Sequence, residues 1–469
     1  MIYNSFFMHK QIKTAVCVVG GGSGGFAAAL RASQSGCQTV LVEKEPFLGG
    51  TSTVSVVNCW EPVAGASFGL PRELYDRMRR IPRGCGIYAP KLHRSLGREG
   101  FRDFPGGFNA INPKMTYDDT LKKGFDYRKI SCPEIWNGVV FEPEVWDRCA
   151  REMLKENSCA VQTGRTVAEV KYTDEQIHSV ILDDGTEIEA KIWIDNSGYL
   201  AAASGCHLLY GSEPRRMFQE PDAPEEPTVR NLNGVTLIFR VTPTDKPGIE
   251  PLSFELAGRE NANWMVATEY PDGDLCCNML PTLRGADYLA LGENTARKVC
   301  EDLVRIFWHT VQEQYDLLRH YKFKSFAAKL GIRESFRTFC EVMLTENDVL
   351  NGISGQDQGD WVVISDHQLD RHGAGGPARP VRPYGISYRS LLPKGKENLL
   401  VAGKIGGFSC LASTSCRLSR TIMRIGEAAG YAAALAVKNQ YSLRSVDIRQ
   451  LQELMHFKEE KETACSGIK

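Results

Sequence analysis

Long hydrophobic runs are missing from this chain. In 469 residues no apolar stretch approaches the length needed to cross a bilayer, so no membrane partner is expected. Charge of one sign is missing as well: 56 Lys and Arg stand against 57 Asp and Glu, a formal net charge of −1. That balance supplies no basic surface for nucleic acid or anionic lipid. Cysteine is plentiful at 15 residues, but no C-x-x-C, zinc-type pair or iron–sulfur spacing occurs. Neither a metal site nor a dithiol redox centre is therefore expected, and Cys276–Cys277 reads as strand packing. The opening MIYNSFFMHKQIK has too few apolar residues for a secretory signal, and the first dozen residues read as a frayed leader. A cysteine-rich chain without such a signal fits a reducing, cytoplasmic setting.

What is present is concentrated between Lys13 and Thr53. Ala15 to Val19 is a short apolar run suited to a strand buried on both faces. Gly20, Gly22 and Gly25 follow at G-x-G-x-x-G spacing: a tight turn, a close approach to pyrophosphate, and a helix packed near the sheet. A helix over roughly Gly24 to Ser35 would aim its free N–H groups at phosphates. A second strand, Gln38 to Val42, ends on Glu43, placed to accept the hydroxyls of an adenosine ribose. Strand, helix, strand and acid in this order predict a dinucleotide site. The KEPFLGGTST that follows puts Gly49 and Gly50 where backbone passes something flat, which suits a flavin better than a nicotinamide.

Residues 54 to 140 are rich in Gly, Pro and Arg and read as loops and short helices, with Trp60, Phe68, Tyr88 and Trp136 to bury. Regularity returns at Glu142 with a helix, and strands are expected at Val161, Val167 to Val170, Ile177 to Leu182 and Ile188 to Ile194, turning at Asp184–Gly185. Between 211 and 383, strands at Val235 to Val241, Trp264 to Glu269 and Leu275 to Leu280 precede an amphipathic helix. Ala296, Val299, Cys300, Leu303, Phe307, Val311 and Leu318 mark its core face. Leu399 to Ala402 reads as a buried strand and Arg417 to Lys438 as a helix packed through Gly426, Ala428, Ala429 and Gly430.

Four stretches together resemble the FAD-dependent oxidoreductase family with a glutathione-reductase-like FAD-binding fold, in its bacterial branch of largely unassigned substrates. They are VVGGGSGGFAAALRAS…VLVEKEPFLGGTST, IWIDNSG, LGIRESFRTFCEVMLTENDVL and YGISYRSLLPKGKENLLVAGK…GEAAGYAAALA. The resemblance implies an α/β fold: a Rossmann-like FAD-binding domain, its parallel sheet carrying a three-stranded antiparallel crossover, plus an α+β substrate domain. The expected division is a discontinuous FAD-binding domain (11–60, 140–210, 384–440), a loop-rich insertion (61–139), a substrate or cap domain (211–383) and a C-terminal extension (441–469). FAD contacts are implied at Gly20, Gly22, Ser23, Gly24 and Gly25 for the pyrophosphate, and at Glu43 and Lys44 for the ribose. Gly49, Gly50, Thr51 and Ser52 would line the ribityl chain and flavin edge. Val167, Ser197 and Gly198 would close the adenine side, Gly403 and Lys404 would lie along the ribityl phosphate, and Ser415, Cys416 and Arg417 at the pyrimidine end. Lys404 departs from the Asp many related flavoproteins place on a ribityl hydroxyl, and Arg420 stands where relatives carry Pro.

Candidates for the chemistry are Cys59, Arg333, His367 and His372. Asn58, Cys59 and Trp60 follow the Gly-Gly-Thr loop, and Cys59 is either a flavin-tuning thiol or an inert core cysteine. Arg333, Glu334 and Arg337 would clamp an anionic or polyhydroxylated substrate, or pair among themselves. His367, Asp370, Arg371 and His372 form a dense ionisable group in which a histidine could take a proton as hydride leaves the adjacent carbon. Arg417 at a helix start would stabilise the charge of a reduced flavin. Only one Rossmann fingerprint is present, which excludes the two-domain disulfide-reductase layout. The leading expectation is hydride transfer between a small polar organic substrate and flavin N5, by a monomer or homodimer. A C=C reductase or monooxygenase using NAD(P)H, and a non-catalytic flavin redox sensor, are the alternatives.

Overall fold

The chain folds around two sheets. The structure, a computed structural model, describes residues 10–63, 65, 66, 68–92, 104–121, 137–261, 263, 265–357, 359–373 and 379–465. The first nine residues of the expected leader, Trp136 and Trp264 lie outside these. Gln11 and Ile12, expected as leader, instead open the first strand and pair with Glu187 and Ile188.

The first sheet has seven strands. Strand Gln11–Val19 lies between Thr39–Glu43 and Glu187–Asp195, parallel to both. Ala160–Thr163 extends one side in parallel. Glu187–Asp195 does double duty: its first residues pair antiparallel with Ile177–Leu182, and its last residues pair in parallel with Leu399–Val401. Val167–Tyr172 completes the antiparallel part. The sheet is thus parallel with an antiparallel crossover, as expected; helices cover one face of its parallel strands, and Val167, Ile177, Val180 and Leu182 of the crossover pack on the other.

Helix Ser23–Gln34 packs on this sheet and against the late helix Ser419–Asn439. The two backbones are in direct contact. A Cβ on Gly426 would sit 2.0 Å from the carbonyl oxygen of Gly24, and one on Gly430 would sit 2.4 Å from that of Ala28. Equal steps along both helices mean that they run in the same direction, so their N-termini lie side by side.

The second sheet has eight strands, in the order Tyr321–Phe326, Phe239–Pro243, Leu275–Met279, Met265–Glu269, Gly107–Ile111, Cys85–Leu92, Gly138–Phe141 and Cys59–Trp60. The stretch read as loops and short helices therefore contributes strands to the sheet of the later segment, through the parallel pairing of Gly107–Ile111 with Met265–Glu269. Its Gly- and Pro-rich composition hid them. Val235 and Thr236, expected inside a strand, form isolated bridges to Leu283 and Gly331 instead. Helix Glu293–Gln314 covers this sheet with Ala296, Cys300, Val304, Phe307 and Val311 buried. The C-terminal segment forms helices Ile448–Leu454 and Phe457–Cys465, tied to the core where Glu460, wholly buried, meets Arg424 at 2.7 Å. Among the described residues, no helix is long and apolar enough to cross a membrane.

Candidate active site

The site is built where the two parallel helices begin. Helix Ser23–Gln34 has no side-chain cap and no acid in its first turn, and neither has Ser419–Asn439. Two positive dipole ends with free N–H groups therefore point the same way. The hydroxyl of Ser52 sits between them, 3.3 Å from that of Ser23 and 3.1 Å from that of Ser419. Asn196 closes the opposite side. Added Cβ atoms on Gly22, Gly24 and Gly403 would come within 2.8, 2.6 and 2.5 Å of its side chain. The first and last thirds of the chain thus meet at one turn. A cradle that excludes side chains and presents backbone N–H groups and hydroxyls fits an extended dinucleotide diphosphate.

The rest of the implied cofactor set has definite positions. Gly20 has φ +97° at the turn out of the first strand, and a Cβ on Gly25 would fall 1.7 Å from its carbonyl oxygen. Glu43 accepts from the Gly21 N–H at 2.5 Å and the Glu45 N–H at 2.8 Å, so its carboxylate braces the glycine turn. Burial raises its pKa, opposed by those two bonds. Lys44 is exposed, Val167 is buried at a strand start, and Ser197 and Gly198 form a tight turn on Asp195. Gly49 bonds to Gly21 through its N–H and packs on the Trp146 ring. Ser415 and Cys416 close the helix Cys410–Cys416 and are buried. The Ser415 hydroxyl is spent on Tyr384 and the His367 carbonyl, so at the pyrimidine end it supports the wall rather than facing the cavity. The helix start near Arg417 falls at Ser419, two residues later than expected, because Arg417 itself ends the preceding helix.

A cavity of about 130 Å³ opens beside this groove, between Thr51 and Ser419 on one side and the second sheet on the other. Cys59, Glu61, Arg333, His372, Lys404 and Arg417 all line it. Burial pushes the Cys59 thiol well above its ordinary pKa, which makes it an inert wall residue rather than a thiolate. His372 lies 2.6 Å from Asp370. Burial and the charge of Arg333 lower its pKa against the pull of Asp370, which keeps the imidazole neutral near pH 7. His367, buried, meets Glu61 at 3.1 Å. Burial disfavours the Glu61 anion, but the bond and charge of His367 outweigh it and the carboxyl pKa falls. Arg333 donates to the Gly234 carbonyl at 2.9 Å and the Thr236 hydroxyl at 2.7 Å. Arg337 and Glu334, read as members of a substrate clamp, instead pair with each other at 3.1 Å, and Arg337 also holds Glu213 at 2.6 Å. That pair is structural because both side chains are buried and paired with each other.

Four residues here escaped the sequence reading as site members: Glu61, Asn196, Thr236 and Ser419. Ser419 carried a usable signal, a hydroxyl residue at a helix start two positions after Arg417. Asn196 lies in the IWIDNSG stretch beside Ser197 and Glu61 directly follows Trp60, whereas Thr236 had no local signal.

Fold and site together define a dinucleotide-binding flavoprotein. A family model described as "FAD dependent oxidoreductase" matches residues 15–455, and the chain belongs to that family. It is an FAD-dependent oxidoreductase, with FAD as its cofactor. Among curated proteins, 4-oxocyclohex-2-ene-1-carboxylate 5-dehydrogenase of Sinomonas cyclohexanicum is 45% identical over 56 residues, 11% of this chain and 10% of that protein. Mitochondrial dihydrolipoyl dehydrogenase of Schizosaccharomyces pombe is 56% identical over 36 residues, 8% of this chain and 7% of that one. The chain's match spans about a tenth or less of these relatives' length. A geranylgeranyl bacteriochlorophyll reductase-like structure from Thermoplasma acidophilum is similar at TM-score 0.48 and 14% identity, over 96% of this chain and 84% of that one. p-Nitrophenol 4-monooxygenase from Pseudomonas putida is similar at TM-score 0.41 and 12% identity, over 98% and 89%.

Proposed function

We propose that this oxidoreductase removes a hydride from a small polar organic substrate, with His372 as the general base. The carrying observation is the His372–Asp370 pair, 2.6 Å apart, in the wall of a cavity that opens onto Thr51 and Ser419 of the cofactor groove. FAD, when bound, supplies the hydride acceptor. The chain's residues do the rest. Asp370 accepts from Nε2–H of His372, which leaves the Nδ1 lone pair to take the proton of a substrate hydroxyl or amine as the C–H bond breaks. Asp370 then stabilises the imidazolium so formed. Arg417, 3.6 Å from Asp370 and just before the start of helix Ser419–Asn439, adds positive charge beside that helix N-terminus. Cys59, Trp60 and Asn278 of the second sheet form the facing wall of the small cavity.

Anaerobic mixing with a panel of hydroxy and amino acids tests this reading through loss of flavin absorbance. At least one should bleach the flavin, and His372→Gln should slow bleaching about 10²–10⁴-fold with FAD content unchanged. Bleaching by NADPH alone, with none from any such acid, would overturn the reading in favour of a reductase or monooxygenase.

A further inference from the structure

Four other guanidiniums, buried or nearly so, are matched by carboxylates. Arg31 has Glu73 and Glu427, Arg424 has Glu427 and Glu460, Arg337 has Glu213 and Glu334, and Arg240 has Glu142, Asp272 and Asp274. The cavity breaks the pattern. Among the described residues, neither Arg333 nor Lys404 forms an ion pair. Arg333 reaches only a carbonyl and a hydroxyl, and Lys404 Nζ donates to the Ile332 carbonyl at 2.6 Å. Burial and then the charge of Arg417 lower both pKa values, that of Lys404 to about 8. Glu61 is engaged by His367, and Asp370 by His372 and Arg417. Two cations without an ion-pair contact among the described residues therefore face one small cavity, which Glu61 also lines.

We infer that Arg333 and Lys404 form an anion subsite for a carboxylate of the substrate, so that the enzyme acts on small organic acids. The inference rests on the hydride reading of the same cavity. Two unpaired cations in a partly desolvated wall are unfavourable until an anion arrives, and a carboxylate can accept from the guanidinium and the ammonium together. His372 shares that wall, so an acid anchored there would present a neighbouring hydroxyl or amine to it. The diphosphate of FAD has its own cradle at Ser23, Ser52 and Gly22, and Arg417 stands beside the helix start.

Oxalate is the probe, because it has no C–H bond and its binding is read whether or not any substrate is oxidised. Titrated into the FAD-loaded protein and followed by the flavin difference spectrum and calorimetry, oxalate should bind and its neutral diamide, oxamide, should not. Arg333→Gln and Lys404→Gln should each weaken oxalate at least tenfold, Arg333→Lys should weaken it less, and both Arg333 variants should keep FAD affinity within threefold. Oxamide binding as well as oxalate, or oxalate binding unchanged in both Gln variants, would overturn the inference. So would inorganic phosphate binding tenfold better than oxalate. A tenfold or greater loss of FAD affinity in both Gln variants would assign these cations to the cofactor instead. Bleaching by a neutral alcohol with no oxalate binding would sink the subsite while leaving the hydride reading intact.

Discussion

Two charged regions lie along opposite parts of the late helix and treat charge in opposite ways. In its second and third turns, Arg424 meets Glu427 and Glu460 at 2.7 Å each, and Glu427 also holds Arg31 at 2.5 Å. Backbone N–H groups of Leu70 and Ala66 fill remaining carboxylate positions on Glu427 and Glu460. At the start of the helix, Arg333, Lys404 and Arg417 crowd a cavity with little anionic charge left to meet them. The larger cavity, about 360 Å³, borders the first region, but Arg31, Arg72 and Arg424 in its walls are already paired. On the proposed reading, uncompensated charge rather than volume marks the active site. A satisfied network holds elements together, whereas an unsatisfied one is built for something that arrives later.

The sharpest way to break this comparison is to open the satisfied network. Glu427→Gln removes the carboxylate shared by Arg31 and Arg424 and leaves both guanidiniums short of charge in a buried site. Its expected cost is about 3–5 kcal/mol of stability, read from the urea midpoint at constant slope. A loss below about 1 kcal/mol would mean that these pairs are no more than the weak ion pairs of an exposed surface.

How much of this was readable beforehand follows from the range over which each signal acts. The glycine turn, its flanking strands and the small-residue face of the late helix are local patterns, and Gly426 and Gly430 do meet another backbone. The strands Cys85–Leu92 and Gly107–Ile111 were not legible, because Gly and Pro interrupt their apolar alternation and the pairing that stabilises them lies far away in sequence. Arg333 was singled out with Glu334 and Arg337 from one short motif. Only the folded chain separates them, turning Arg337 and Glu334 inward to each other and leaving Arg333 at the cavity. Sequence spacing showed that these charges were neighbours but not which of them would neutralise one another.

An acid without a cation supplies the intermediate case. Glu220, 1% exposed, accepts from the Ser409 hydroxyl and from the Glu346 N–H at 2.7 Å, and has no cation within ion-pair reach among the described residues. Burial raises its pKa from 4.5 to about 7. A raised carboxyl means that the folded state holds its proton more tightly than the unfolded chain. Stability from this group is complete below about pH 4.5 and declines as pH rises to about 7, by at most about 3 kcal/mol. Glu220→Gln should flatten that part of the urea-midpoint profile against pH. An unchanged slope would show that the carboxyl ionises without penalty and that the contrast between satisfied and unsatisfied sites does not extend to acids.

The smallest expected effect is the most discriminating. If Arg333 belonged to a structural network, Arg333→Gln would cost several kcal/mol, as Glu427→Gln should. Its guanidinium, however, is desolvated beside Arg417, and the charges of Asp370 and Glu61 offset only part of that penalty, so removing the charge relieves repulsion. The Gln amide can still donate to the Gly234 carbonyl or the Thr236 hydroxyl, so little hydrogen bonding is lost. The two terms oppose, and stability should change by no more than about 1 kcal/mol, in the stabilising direction. Urea unfolding of the FAD-loaded variant at pH 7 checks it. A loss of about 3 kcal/mol or more would place Arg333 with the satisfied guanidiniums and remove the distinction between a charge that holds the fold and a charge kept for a ligand.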